Sequence, residues 1–291
     1  MQSVPAYLLV FHGSCDRRPQ EAARGLARFF YQRIQYFKLA SLVGAKTTTV
    51  EPEEKLLFNG NLAIPAFYDA DEASSLELNS PSVEVASLEG SSTSLHEQIV
   101  DFGHQLWTAA ANPALSAPLR IVVLPLFLLQ GVHVMEDIPS EVALAQQVLG
   151  RSFQVEIAPH LGSHPRLYRL ITERMAAVPA EAWILLAHGS RRPNANRAIE
   201  ALAERLGAVP AYWAVPPDLE TRLSELRSLG LRKIAIFPYF LFKGTVTDAI
   251  AQQVILLSSQ FPGLSLHLTS PLEASAELAD LLMELARRAL Q

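Results

Sequence analysis

The sequence predicts an α/β protein of two similar lobes, each a small parallel sheet flanked by helices, with a cleft between them. Three observations carry this. First, two short apolar runs, YLLVF at residues 7–11 and WILLA at 183–187, each end in His-Gly-Ser, and bounded apolar runs of this length are typical of strands covered on both faces. Second, each His-Gly-Ser leads into basic residues, a proline and a helix-period segment, CDRRPQEAARGLARFF in one copy and RRPNANRAIEALAERL in the other. Third, another matching pair follows in the same order: PLFLLQG at 125–131 and PYFLFKG at 238–244, behind the strand-like runs RIVVL and KIAIF. Two landmarks recurring in order on strand–loop–helix units mark a duplicated module.

The copies differ in length. His188 lies 176 residues after His12, but Gly244 only 113 after Gly131, so the first lobe carries 63 more residues between its landmarks. Pairing SLEGSSTSLHEQI with YWAVPPDLETRL, Leu95 against Leu219 at an offset of 124, places 52 of them upstream of Glu89 and 11 near residues 109–119. The stretch from about residue 38 to 82 is rich in Ser, Asn, Asp, Glu and Pro without sustained periodicity, and reads as a surface insertion or flexible flap. The lobes are then 1–178, which includes this insertion, and 179–291.

A chain of 291 residues, 49% hydrophobic and 18% charged, can build two packed lobes. The formal charge of −5, without a basic cluster, argues against nucleic-acid binding. Cys15 is the single cysteine, so neither an internal disulfide nor a thiolate metal site can form, and a bound metal would rely on His and carboxylate. The N-terminus runs directly into a strand instead of a secretory signal, and stretches such as 121–129 fall short of the ~20 residues that span a bilayer. A cytoplasmic chain with no membrane contact is expected. A monomer is preferred, because duplication can replace a homodimer of single lobes.

In parallel α/β sheets the ligand crevice lies beyond the C-terminal ends of the strands. His12 and His133 fall in loops just after strand-like runs, and Glu89 follows a third run, VEVASL. Two neutral imidazoles and a carboxylate converging there would suit a borderline divalent ion and leave positions open for a substrate. Taken singly, each histidine is more often a hydrogen-bonded structural group, and a glutamate after a strand is usually just solvated.

These residues resemble a known family. Strand-His-Gly-Ser, strand-Leu-Glu and PLFLLQGVHVMEDIP are similar to the class II chelatases of the CbiX/SirB type, which insert cobalt or iron into sirohydrochlorin in cobalamin and siroheme synthesis. The likeness covers nearly the whole chain except the insertion. It implies that His12 and His133 are the two active-site histidines and Glu89 their acidic partner, serving both as catalytic residues and as ligands to the incoming metal. The candidate substrate-binding residues are Ser14, Arg17, Arg18, Gly131 and Val132. The partners expected are a sirohydrochlorin-type tetrapyrrole and a divalent ion, Co2+, Fe2+ or Ni2+, as substrates, with no permanently bound cofactor. A non-catalytic carrier of metal or tetrapyrrole is the alternative. Protoporphyrin chelation is a third reading, which the short double lobe and GVHVMEDIP disfavour.

The lobes are not equivalent. His188 matches His12, but the pairing above sets Trp213 opposite Glu89 and Val246 opposite His133. A single imidazole holds metal weakly, so the active site is placed in the first lobe, with His188 a relic, a cleft-lining group or a strand-end hydrogen bonder. Arg17, Arg18, Arg191 and Arg192 could grip substrate carboxylates bidentately or be solvated charges at helix starts. Glu136 and Asp137 could relay a cation or favour a helix N-terminus. For His160 and His164 structural roles are expected. His96 and His104 sit two turns apart on one helix, too far to share an ion.

Overall fold

In a computed structural model the described residues, 4–44, 81–109 and 117–291, form two four-stranded sheets in which all strands are parallel. The first has the order β2-β1-β3-β4, from β1 (Ala6–Phe11), β2 (Val83–Ser87), β3 (Leu119–Pro125) and β4 (Phe153–Ile157). The second repeats that order as β6-β5-β7-β8, from β5 (Ala182–Ala187), β6 (Ala208–Tyr212), β7 (Lys233–Pro238) and β8 (Ser265–Leu268). The registers repeat as well: Val10 pairs with Pro125 and Leu186 with Pro238. In each sheet the chain steps to one side of its first strand and then crosses to the other, so a topological switch falls beside β1 and β5, where parallel sheets open a crevice.

Each strand alternates its apolar residues between two cores. On the outer face of the first sheet, Ala6, Leu8, Val10, Ile121 and Val123 are buried against α2 (Leu95–Ala109) and α3 (Ile138–Leu149). Tyr7, Leu9, Phe11, Val122 and Leu124 face inward. There they share one continuous cluster with Leu185, Ala187 and Phe237 of the second sheet. A central helical layer fills the space: α1 (Arg17–Gly44), α4 (Pro165–Ala176), α5 (Arg197–Leu206) and α8 (Ala276–Ala289) all contribute buried residues to that cluster. The outer face of the second sheet is covered by α6 (Leu219–Ser228) and α7 (Thr245–Gln260).

Within the central layer the last helix of each repeat crosses over. α8, which follows β8, packs against α1 and β3 of the first lobe, with Arg33 Nε 2.8 Å from Asp280 and Arg287 stacked over Phe37. α4, which follows β4, lies beside α5: the Tyr168 hydroxyl donates to the Arg205 carbonyl at 2.7 Å, and the Arg205 guanidinium covers the Tyr168 ring. The boundary at residues 178 and 179 falls between α4 and β5.

α1 extends from Arg17 to Gly44, so residues 38–44, which the composition assigns to the start of an insertion, continue a helix. Its apolar anchors Ala23, Leu26, Ala27 and Phe30 nucleate that helix on the sheet and carry the backbone past the point where the composition changes. The rest of that expected flap lies outside the described residues. No helix among the described residues is long and apolar enough to cross a membrane.

His164 belongs to this framework. It caps α4, its Nδ1 accepting from the Arg166 backbone N–H at 3.2 Å, while Nε2 donates to Glu284 of α8 at 3.0 Å. Ser275 occupies the equivalent cap of α8 and accepts from the Leu278 N–H. Only 2% exposed, His164 is pushed below the ordinary imidazole value of 6.5 by burial, which outweighs the upward pull of Glu284. The unfolded chain therefore takes up this proton first as pH falls. The stability that His164 contributes is complete above pH ~6.5 and is lost as pH drops through the lower folded value. His164→Asn, which keeps a capping oxygen but cannot titrate, is expected to flatten the decline of the urea midpoint between about pH 7 and pH 5. An unchanged slope would refute the assignment.

Candidate active site

β1, β2 and β3 are adjacent strands; His12 and Glu89 lie one and two residues beyond the ends of β1 and β2, and His133 opens the π turn eight residues beyond β3. The structure brings them together: one ligand atom from each lies within 4.8 Å of the other two, the sole such group of His, Cys, Asp or Glu found among the described residues. The His12 and His133 rings meet edge to face, centroids 4.8 Å apart, and His12 Nδ1 is 3.9 Å from Glu89 Oε2. Phe127 flanks both imidazoles, at 6.4 and 5.9 Å. Two ligand atoms bonded to one ion at ~2.1 Å can be no more than about 4.2 Å apart, so modest side-chain movement closes the triad. The side chains are free to make it, being 55%, 57% and 32% exposed for His12, Glu89 and His133.

Glycine sets the spacing between the first two. The chain leaves β1 through Gly13 at φ +95°, and a Cβ there would lie 1.8 Å from the Glu89 carbonyl oxygen. Only a residue without a side chain permits that approach. It lets the Leu88 and Glu89 N–H groups donate to the Phe11 and His12 carbonyls at 2.9 and 2.8 Å, extending the β1–β2 pairing into the site.

His133 is set differently. Gly131 and Val132 form the turn that launches it, the Gly131 carbonyl accepting from the Val134 and Met135 N–H groups. Residues His133–Asp137 then form one π-helical turn, closed by the Ile138 N–H on the His133 carbonyl. The wide turn brings the Asp137 carboxylate to 2.7 Å from His133 Nδ1. With Nδ1–H donated to Asp137, Nε2 is left as the lone-pair nitrogen for an ion, the usual outer-shell support of a metal-binding histidine. His12 has a parallel arrangement, its Nδ1 3.2 Å from the Gly13 carbonyl.

The second lobe supplies the contrast. His188 Nδ1 lies 3.0 Å from the Gly189 carbonyl, as at His12. The strand register corrects its neighbour, however. Phe11 pairs with Ser87 and Ala187 with Tyr212, and the Ala214 N–H donates to the His188 carbonyl as the Glu89 N–H does to His12. Ala214, not Trp213, therefore stands opposite Glu89. The loop from β6 to α6 is one residue shorter than that from β2 to α2, so an alignment anchored on the helices slips by one at the strand ends. Val246 stands opposite His133 by the strand-side count. Beyond it the buried residues Ile138, Val142, Ala145 and Leu149 match Ile250, Val254, Leu257 and Phe261 at 112 instead of 113. The π turn accounts for the extra residue, and it occurs at a ligand position, as such turns often do.

Other candidates have clear placements. Ser14 Oγ accepts from the Asp16 N–H, and Arg17 is exposed at the start of α1. Arg18 binds Asp16 and Asp248, each at 2.6 Å, and so fastens the rim of the first lobe to α7 of the second. Hydrogen bonds from Arg18 pull the Asp16 carboxyl down to about 2. The Tyr239 hydroxyl donates to the Leu128 carbonyl beside the same crevice. His160 is half-buried and burial lowers its pKa. His96 pairs with Glu141, His104 is exposed, and Cys15 is free and exposed. Two concavities, about 330 Å³ beside Trp183 and about 280 Å³ between Arg33 and Arg287, contain none of the triad. Sequence reasoning missed the role of Asp137 as partner to His133, although its four-residue spacing was a usable signal.

The sequence model of the CbiX family matches residues 66–178 and again 182–289. The chain belongs to the CbiX family. The first match lies within the first lobe, without β1, α1 and His12, and the second spans most of the second lobe. A sirohydrochlorin ferrochelatase of Priestia megaterium is 26% identical over 155 residues, 48% of this chain and 57% of that protein. A sirohydrochlorin cobaltochelatase of the same organism is 25% identical over 187 residues, 59% of this chain and 61% of its own length. The chain thus spans about three-fifths of the curated relatives it matches. Among solved structures, the sirohydrochlorin chelatase SirB of Bacillus subtilis subspecies spizizenii, in complex with cobalt, has the same fold: TM-score 0.60 at 20% identity, covering 98% of this chain and 94% of that one.

Replacing Gly13 with alanine should cost more than about 2 kcal/mol, from the positive φ and the forced retreat of Glu89. Urea unfolding measures the loss, and a Gly13→Ala protein of wild-type stability would contradict the close approach.

Proposed function

We propose that this CbiX-family protein inserts a divalent metal ion, Co2+ or Fe2+, into a sirohydrochlorin-type tetrapyrrole, using His12, Glu89 and His133. The observation that carries the reading is the convergence of those side chains within 4.8 Å beyond the ends of three adjacent strands. Family membership supports the reaction class. Relatives named for iron and for cobalt both match, and a set of two imidazoles and a carboxylate accepts either ion.

Metalation removes two protons from the pyrrole nitrogens and replaces the water around the cation by four ring nitrogens. His12 and His133, through Nε2, hold the incoming ion in neutral form, so protons compete with metal and affinity falls as pH is lowered. Three protein ligands leave the remaining coordination positions for water and then for ring nitrogens. Glu89, on the side of His12 away from β3, accepts a pyrrole proton at Oε2 or completes the ion's shell until the ring takes over. Asp137 holds the His133 tautomer through the exchange. Ser14, Arg17, Gly131 and Val132 border the triad in sequence and would meet the macrocycle. Arg18, held by two carboxylates, acts in this reading as a tie between the lobes.

The test is metalation of sirohydrochlorin by Co2+ or Fe2+, followed by the absorbance of the ring. His12→Ala and His133→Ala are each expected to slow it by about tenfold or more, as losses of general acid–base or ligand groups typically do. Wild-type rates in both variants would exclude the site. Rates no faster than free metal plus free ring would favour a carrier instead.

A further inference from the structure

The triad is built on two segments that do not share a backbone hydrogen-bond ladder: the β1–β2 strand ends, which carry His12 and Glu89, and the π turn that leads into α3, which carries His133. We infer that Glu141 is the strut that sets the distance between them, a positioning residue for metal capture. The inference rests on the proposed use of the triad.

His133, Asp137 and Glu141 follow one another at four-residue spacing along one face. Asp137 turns back to His133, and Glu141 reaches forward to α2. Its Oε2 accepts from the His96 backbone N–H at 2.8 Å and from His96 Nδ1 at 2.9 Å. The backbone bond satisfies one of the N–H groups that the first turn of α2 leaves unpaired. A carboxylate taking two donors on one oxygen, with both side chains mostly shielded (31% and 25% exposed), is a more restrictive contact than a surface ion pair.

The start of α2 is in turn tied to the Glu89 loop. Gln98 Oε1 accepts from the Ser87 N–H at 3.0 Å, and its Nε2 donates to the Ser87 and Thr93 carbonyls at 2.8 and 3.2 Å. Ser87 is two residues from Glu89, and Thr93 closes the same loop. The path from His133 to Glu89 therefore runs through α3, Glu141, His96, Gln98 and Ser87, with hydrogen bonds at each junction between segments.

The second lobe lacks this pair. At the helix-side offsets of 124 and 112, His96 corresponds to Glu220 and Glu141 to Gln253. Glu220 sits in the first turn of its helix as an ordinary acidic residue there. The strut is thus present in the lobe that has three ligands and replaced in the lobe that has one. α2 and α3 also pack directly on each other, as α6 and α7 of the second lobe do not, so the bridge adds a polar tie to a helix pair that is specific to the first lobe.

The experiment is Co2+ titration of the full chain without tetrapyrrole, read by visible absorbance, together with thermal unfolding of each variant. Glu141→Ala is expected to weaken Co2+ binding about 10- to 100-fold, the range seen when outer-shell partners of metal ligands are removed. Glu141→Gln, which keeps an acceptor oxygen for both donors, is expected to recover most of the affinity. His96→Ala leaves α3 untouched and is expected to shift affinity in the same direction, which keeps the test decisive if Glu141→Ala folds poorly. A lower melting temperature with unchanged Co2+ affinity in these variants would mean a merely structural contact and would overturn the inference. If His133→Ala abolishes binding while Glu141→Ala and His96→Ala do not alter it, the strut fails and the triad stands. If His133→Ala binds Co2+ like wild type, both fail.

Discussion

The site depends on how closely two chain segments can approach at the end of the β1–β2 pair. Gly13 carries no side chain, and the Glu89 carbonyl oxygen occupies the place where a Cβ would be, 1.8 Å from its ideal position. With that contact made, the backbone pairing of the two strands continues one residue beyond the sheet, and His12 and Glu89 project side by side. The second lobe also turns through a glycine with positive φ, Gly189 at +79°, but there a Cβ would meet the side chains of Tyr212 and Val215, at 2.7 Å, instead of a backbone carbonyl, and His188 keeps the same contact to the next carbonyl as His12. A positive-φ glycine after the first strand is therefore common to both lobes, because it is part of how each sheet ends, whereas Glu89 and His133 occur in the first lobe alone.

Around those strand ends, the exchanged helices make the two lobes one hydrophobic unit. α8 covers the first sheet although it follows the second, and α4 lies beside α5 although it follows the first. Each lobe thus takes part of its inner face from the other. Arg18, Asp248, Tyr239 and Leu128 fasten the rims where the crevice opens. For the proposed reaction on a large flat ring, a crevice whose walls are held by a common core is better defined than one between independently moving domains.

The asymmetry of the lobes supports placing the proposed chemistry in the first. One residue added as a π turn distinguishes the His133 segment from its counterpart, and it brings Asp137 under the imidazole. One residue of difference in the loop after β2 coincides with the change from Ala214 to Glu89. One-residue differences on a repeated scaffold thus distinguish the lobe that carries the candidate triad.

The repeat and the strands were legible in the sequence, because parallel strands buried on both faces read as bare apolar runs; spacing alone made His12, Glu89 and His133 one possible grouping, and the resemblance to the class II chelatases singled it out. The one-residue register opposite Glu89 was not legible, since loop length is invisible until strand pairing anchors it, and helix-based alignment chose Trp213 over Ala214. The tie of Arg18 to Asp248, the bond from His164 to Glu284 and the bridge from Glu141 to His96 were equally hidden. Each joins residues 45 or more positions apart, and local sequence patterns carry information only over the few residues that share a turn or a strand. By itself the sequence determined which residues could hold an ion, through residue chemistry and the ends of periodic segments. Only the tertiary structure decided which partners hold those residues in place, because such contacts arise where packed elements meet in space.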